Sequence, residues 1–177
     1  MPERTREICV TGLGIALFVV FTLCLQVPVF ENYYLCLGYI VMAVYCCSVG
    51  TVSGTVTGTA GVILYCVLTG GLRGMPGWAA GNIVIGLALG AAFRMTKGRM
   101  KALPSLLICG FCILMSCAAG ILGVKSLTEC ILYGQPFAVR AAKNSYAFIA
   151  DTAVLLLSLP VCAIVENRRK ESGLQVR

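Results

Sequence analysis

Six apolar blocks, at about 8–27, 35–49, 51–70, 78–96, 103–123 and 144–166, divide this 177-residue chain, and the short gaps between them hold nearly all of its charge. Most of the blocks are near the roughly 20 residues that a helix needs to cross the hydrocarbon layer of a bilayer. The runs are continuous and show no period-two alternation, which selects helices over barrel strands. Hydrophobic residues make up 59% of the chain and charged residues 12%, a composition that suits a surface facing lipid. The expectation is an all-α integral membrane protein, a six-transmembrane-helix bundle forming a single transmembrane domain over 1–177. The second block, squeezed between Tyr34 and Gly50, is the shortest.

Charge orients the bundle. Arg4 and Arg6 before the first block, Arg94, Lys97, Arg99 and Lys101 after the fourth, and Arg168, Arg169, Lys170 and Arg177 after the sixth account for most of the 14 basic residues. Only Arg73, Lys125, Arg140 and Lys143 fall in the alternate gaps. Cytoplasmic loops are enriched in Lys and Arg, so both termini are expected to be cytoplasmic, as an even number of spans also requires.

Several function classes are set aside on the same grounds. The net charge of +7 sits at membrane edges without the interleaved aromatics of a base-stacking surface, so no nucleic acid partner is expected. The first block is too long for a signal peptide and lacks a small-x-small cleavage site before Pro28, so it reads as a retained span. No nucleophile elbow, metalloprotease motif or P-loop is present, and the chain has no histidine, so neither an enzyme nor a metal or cofactor site is expected. Eleven cysteines, among them Cys109 and Cys112 in a C-x-x-C spacing, leave open a thiol-disulfide redox protein, against the reading of cysteine as a small apolar packing residue. A purely structural membrane subunit is the third possibility.

The three longer connections, Val27 to Tyr34, Gly70 to Gly77 and Val124 to Lys143, lie on the expected external side, where loops on a rigid scaffold usually carry binding residues. The last of them, with Leu127, Ile131, Leu132 and Phe137, reads as a short amphipathic helix broken near Gly134-Gln-Pro136, serving as a lid or as an interfacial helix. Gly50, Gly54 and Gly58 repeat at every fourth position, the spacing that lets helix backbones approach closely, and Gly12 with Ala16 does the same in the cytoplasmic half of the first span.

Candidate binding residues gather in the outer half: Asn32 and Tyr34 in the first external loop, Tyr39 one turn into the second span, Arg73 in the next loop, and Trp78 with Asn82 at the start of the fourth span. An interfacial aromatic belt is the alternative for the aromatics. Asp151 is the only charge deep inside a span, about 10 Å below its outer end at 1.5 Å per residue, and it shares a helix face with Asn144 and Phe148. Those three residues are expected to wall a pocket, the alternative for Asp151 being a structural bond to Arg73, Arg140 or Lys143. The basic rim favours an anionic ligand, Asp151 a cationic one and the aromatics a flat ring, so the ligand stays open.

The order Asn32-Tyr-Tyr-Leu-Cys-Leu-Gly38, then the Gly50 to Gly61 ladder, then Leu72-Arg-Gly-Met-Pro-Gly-Trp78-Ala-Ala-Gly-Asn82, resembles that of the substrate-binding S components of energy-coupling-factor vitamin transporters. The resemblance implies a six-helix protein of the bacterial cytoplasmic membrane that binds a water-soluble vitamin or related small molecule under its external loops. It also implies a T-type transmembrane subunit and two cytoplasmic ATPase subunits as partners, which hydrolyse ATP on this chain's behalf. Members carry an A-x-x-x-A-like motif in the first helix that docks on the T subunit; Gly12 and Ala16 stand at the matching positions, keeping the size and changing the letters.

Overall fold

The computed structural model describes residues 3–24, 27–30, 33–97, 99 and 102–171. It is almost wholly helical. Helix α1 (Glu3–Cys24) leads into a two-stranded antiparallel hairpin, β1 (Val27–Phe30) and β2 (Tyr33–Leu35), followed by α2 (Gly38–Ser48), α3 (Thr51–Thr69) and α4 (Met75–Met95). Helix α5 (Leu103–Cys117) runs without a break through a π-helical segment (Ala118–Lys125) into α6 (Ser126–Tyr133), and α7 (Phe137–Glu171) is the last element among the described residues.

Glycine and proline punctuate these elements. Gly50, with φ of 140°, stands before α3 in a region of backbone space that only glycine occupies without strain. Gly134, with φ of 63°, ends α6 in the left-handed conformation and donates its N–H to the Cys130 carbonyl at 2.9 Å. Pro76 and Pro104 stand in the first turns of α4 and α5, where a missing N–H costs nothing.

Five helices are long and apolar enough to cross a membrane: those over Arg4–Cys24, Thr51–Thr69, Met75–Met95, Leu103–Tyr133 and Phe137–Arg169. Their outward faces carry large bare side chains, such as Leu107 (64% exposed), Phe111 (65%) and Leu157 (65%), a surface that only lipid tails can solvate. The protein is a multi-pass membrane protein. Helix α4 is its most enclosed span and α1 its most peripheral.

Close backbone contacts hold the core. Gly54 rests on the backbone of Cys46, Gly58 on Met42 and Gly61 on Phe18, so the inner face of α3 is seated against α2 and α1. Gly50 differs, since nothing lies within 4 Å of where its Cβ would be and only its backbone conformation requires glycine. Phe18, Met42, Ile85, Leu89, Ile113 and Leu155 fill the space between helices, with Cys46, Cys66, Cys109, Cys117 and Cys162 packed among them.

Three sequence expectations change in detail. The first external connection is a hairpin, with Val27 opposite Leu35 and Pro28 opposite Tyr34, since its Val, Phe and Tyr residues suit strands. The connection 124–143 holds the expected helix and its break at Gly134, Gln135 and Pro136, but that helix, α6, continues α5 through the π-helical segment, and α7 begins at Phe137, ahead of the expected start of the last span at 144. Helix α2 has 11 residues, about 16 Å at 1.5 Å per residue, roughly half the thickness of the hydrocarbon layer.

Candidate functional site

The apolar helices bring a short polar chain into the middle of the bundle. The Trp78 indole N–H donates to the Tyr39 hydroxyl at 3.0 Å, that hydroxyl donates to Asn82 Oδ1 at 2.7 Å, and Asn82 Nδ2 donates to the Gly58 carbonyl at 2.9 Å. Tyr39 and Asn82 have no exposed surface. In hydrocarbon each of these polar groups needs a partner, and every link here has one. The chain ties α2, α3 and α4 together and fixes the rotamer of Trp78.

Trp78 forms part of the wall of a 280 Å³ cavity that opens among the hairpin end, the α3–α4 connection and the start of α7. Tyr65 meets the indole edge to face, with ring centroids 5.7 Å apart, and Lys125 Nζ lies 6.0 Å from the indole centroid. Asp151 lines the same cavity although only 5% of it is exposed. Its carboxylate lies near the backbone amide of Cys36, the Tyr39 hydroxyl and, more remotely, Lys125. The Tyr39 proton is already committed to Asn82, so the carboxylate keeps acceptor capacity for a donor inside the cavity. Among the described residues Lys125 and Asp151 do not come within ion-pair distance of each other, and the cavity therefore offers one cation and one carboxylate.

Lys125 reaches this position because of the π-helical segment it terminates. Gly120 in that segment meets Gly81 of α4 so closely that a Cβ on either residue would come within 2.8 Å of the other's carbonyl oxygen. Gly77, one turn earlier on α4, faces the Lys125 carbonyl and the Glu129 side chain. Two glycines on one face of α4, with Gly120 opposite them, thus admit the segment that carries the cation.

Above the cavity a second polar cluster joins α6 to α7. Asn144 donates to Ser126 Oγ at 3.0 Å and to Glu129 Oε2 at 3.2 Å, and Arg140 pairs with Glu129 at 3.7 Å. Arg73 lies over the Tyr133 ring at 5.0 Å, and the Tyr133 hydroxyl bonds the Arg73 carbonyl, so the α3–α4 connection is fastened to α6.

The residues singled out in the sequence therefore separate into groups. Trp78 and Asp151 line the cavity, while Tyr39 and Asn82 stand behind Trp78 and hold it. Asn144 belongs to the α6–α7 cluster, Phe148 packs against the core and Arg73 clasps Tyr133 at the rim. Asn32 lies outside the described residues; Tyr34 is placed in β2 by its backbone. Lys125, Tyr65, Thr22 and Cys36 also line the cavity and were not among the candidates. Lys125 carried a signal, since it is one of only four basic residues on its side of the charge pattern. Gly12 and Ala16 are exposed on the outer face of α1, with nothing within 4 Å of the Gly12 Cβ position, whereas Gly14 faces inward onto Tyr45.

The family model for the S component of ECF-type riboflavin transporters matches residues 3–165. Searches of curated proteins and of solved structures found no match.

Proposed function

The chain belongs to the family of ECF-type riboflavin transporter S components, and from that membership and the geometry of the Trp78 cavity we propose that it captures riboflavin, or a closely related flat heteroaromatic, outside the cell. As a family member it is a substrate-binding transporter subunit. The observation that carries the choice of ligand is the pairing of Trp78 and Tyr65 with Lys125 and Asp151 around one cavity.

A ring seated against Trp78 gains aromatic contact, about 0.5–1.5 kcal/mol beyond the area it buries. A flavin has an edge with an N–H between two carbonyls. Asp151 accepts from that N–H and the Lys125 ammonium donates to a carbonyl beside it, so a neutral ligand uses both charges. The volume of 280 Å³ is just below the roughly 300–1,000 Å³ usual for ligand pockets, so the ring fills the cavity and the sugar-alcohol chain extends towards its mouth.

In the same proposal α2 with the hairpin before it completes a sixth crossing, and both termini are cytoplasmic, in line with the distribution of basic residues. The exposed Gly12 and Ala16 face of α1 docks on a T-type transmembrane subunit, and two ATPases drive delivery of the ligand inward. ATP is hydrolysed by those partners.

Trp78 is the single tryptophan of the chain, so its fluorescence in the purified protein reports on the cavity directly. Titration with riboflavin is expected to quench the emission saturably, and Trp78→Phe to remove that signal. No quenching by riboflavin, combined with saturable quenching by another vitamin, would keep the subunit and replace its substrate.

A further inference from the structure

At the other end of the bundle a second cavity, of 440 Å³, lies where α1 begins, α2 turns into α3, and α4 and α7 end. Three cations converge on it: Arg94 and Lys97 from the end of α4, and Arg169 from the end of α7. Arg169 also donates to the Ser48 carbonyl, which holds its guanidinium at the α2–α3 turn. Arg94 and Lys97 have no carboxylate within ion-pair distance among the described residues. The acidic groups nearby are Glu7 on the cavity wall and Glu166, one turn before Arg169 on α7. Positive charge exceeds negative on the wall itself.

The backbone adds to that excess. Thr51, Val52 and Ser53 of the first turn of α3 line the cavity, and Gly50 before them has no side chain to cap their N–H groups. Unsatisfied amides at a helix start favour an anion, most of all beside guanidinium groups. The neighbouring surface is apolar. Val52 is 74% exposed, and Val56 and Ile63 continue the same outer face of α3 at 41% and 40%. A ligand that fits both parts has an anionic head and a hydrocarbon tail.

We propose that this cavity binds the phosphate of an anionic phospholipid, with an acyl chain lying along Val52, Val56 and Ile63. The Arg94 and Arg169 guanidinium groups and the Lys97 ammonium take the phosphate oxygens, and the α3 amides complete the cradle. The site lies at the opposite end of the bundle from Trp78, and its lining shares no residue with the outer cavity, so lipid binding there is independent of the ligand the outer cavity takes.

The test is native mass spectrometry and thermal melting of the full chain in neutral detergent, with phosphatidylglycerol, phosphatidylcholine or inorganic phosphate added. Wild type is expected to retain phosphatidylglycerol over phosphatidylcholine by roughly tenfold or more. R94Q/K97Q is expected to lose that preference with its melting temperature in plain detergent unchanged, and R4Q/R6Q, which removes two charges at the same end of the bundle but off the cavity wall, to keep it. Arg169 is left intact because it also bonds Ser48. Equal retention of the two lipids by wild type, or an undiminished preference in R94Q/K97Q, would overturn the proposal. Stabilisation by inorganic phosphate alone, lost in R94Q/K97Q, would assign the cavity to a soluble phosphate and overturn the lipid assignment.

Discussion

Gly81 on α4 and Gly120 in the π-helical segment touch backbone to backbone, each so close that a Cβ would come within 2.8 Å of the other's carbonyl oxygen. Neither obstacle is the flexible end of a side chain, so an added group forces the two helices apart. Overpacking of this kind typically costs about 1–3 kcal/mol. Gly81→Val is expected to lower the melting temperature and to weaken ligand binding together, because the displaced segment carries Lys125. A variant that melts earlier yet binds as wild type would show that Lys125 is positioned independently of this contact.

Asp151 and Asn82 occupy one polar region but are expected to fail differently. Asp151→Asn keeps the size and removes the charge at the cavity wall, so affinity should fall with little change in melting temperature. Asn82→Ala leaves the Tyr39 hydroxyl and the Gly58 carbonyl without their partners, at a cost of about 1–3 kcal/mol. Its melting temperature should drop first. Equal loss of stability in the two variants would place Asp151 in the structural chain rather than at the ligand.

Lys125→Met retains most of the apolar stem and removes the ammonium. The expected result is weaker binding of a carbonyl-bearing ring, by about tenfold if one charge-assisted hydrogen bond worth roughly 1.5 kcal/mol is lost. Competition titrations against Trp78 emission measure it. Unchanged affinity would assign Lys125 to stacking on the indole alone.

Gly12→Leu and Ala16→Leu place bulk on the exposed face of α1, away from the inward-facing Gly14. Ligand binding by the purified chain should be unaffected, and uptake by cells that co-express the partner subunits should be abolished. Normal uptake in both variants would move the docking face off α1.

Most of the helices were legible in the sequence, because apolar length alone separates a spanning helix from a connection. The polar chain was legible only in part. Tyr39, Trp78 and Asn82 stand out as polar residues among apolar ones, but that Tyr39 and Asn82 are hydrogen-bonded supports behind Trp78 depends on the packing of three helices. Lys125 stands out in the charge pattern but not as a binding residue, because the apolar block reads as ending at 123 and a change of winding from α to π leaves no mark in hydropathy. Tyr65 and Thr22 are ordinary members of apolar helices whose direction is fixed by the glycine contacts of α3. The hairpin was missed for a simpler reason: the few residues around Pro28 and Tyr34 are too short a run for alternation to register.

Helical phase also decides which groups line the cavity. Were residues 118–125 wound as an α-helix, each surplus residue would turn everything after it by about 100°. Lys125 and Glu129 would then swing off the bundle axis, one leaving the cavity and the other leaving Arg140. The wider winding absorbs that rotation inside the membrane, so the ammonium at the cavity wall and the ion pair above it are set by a single local adjustment of pitch.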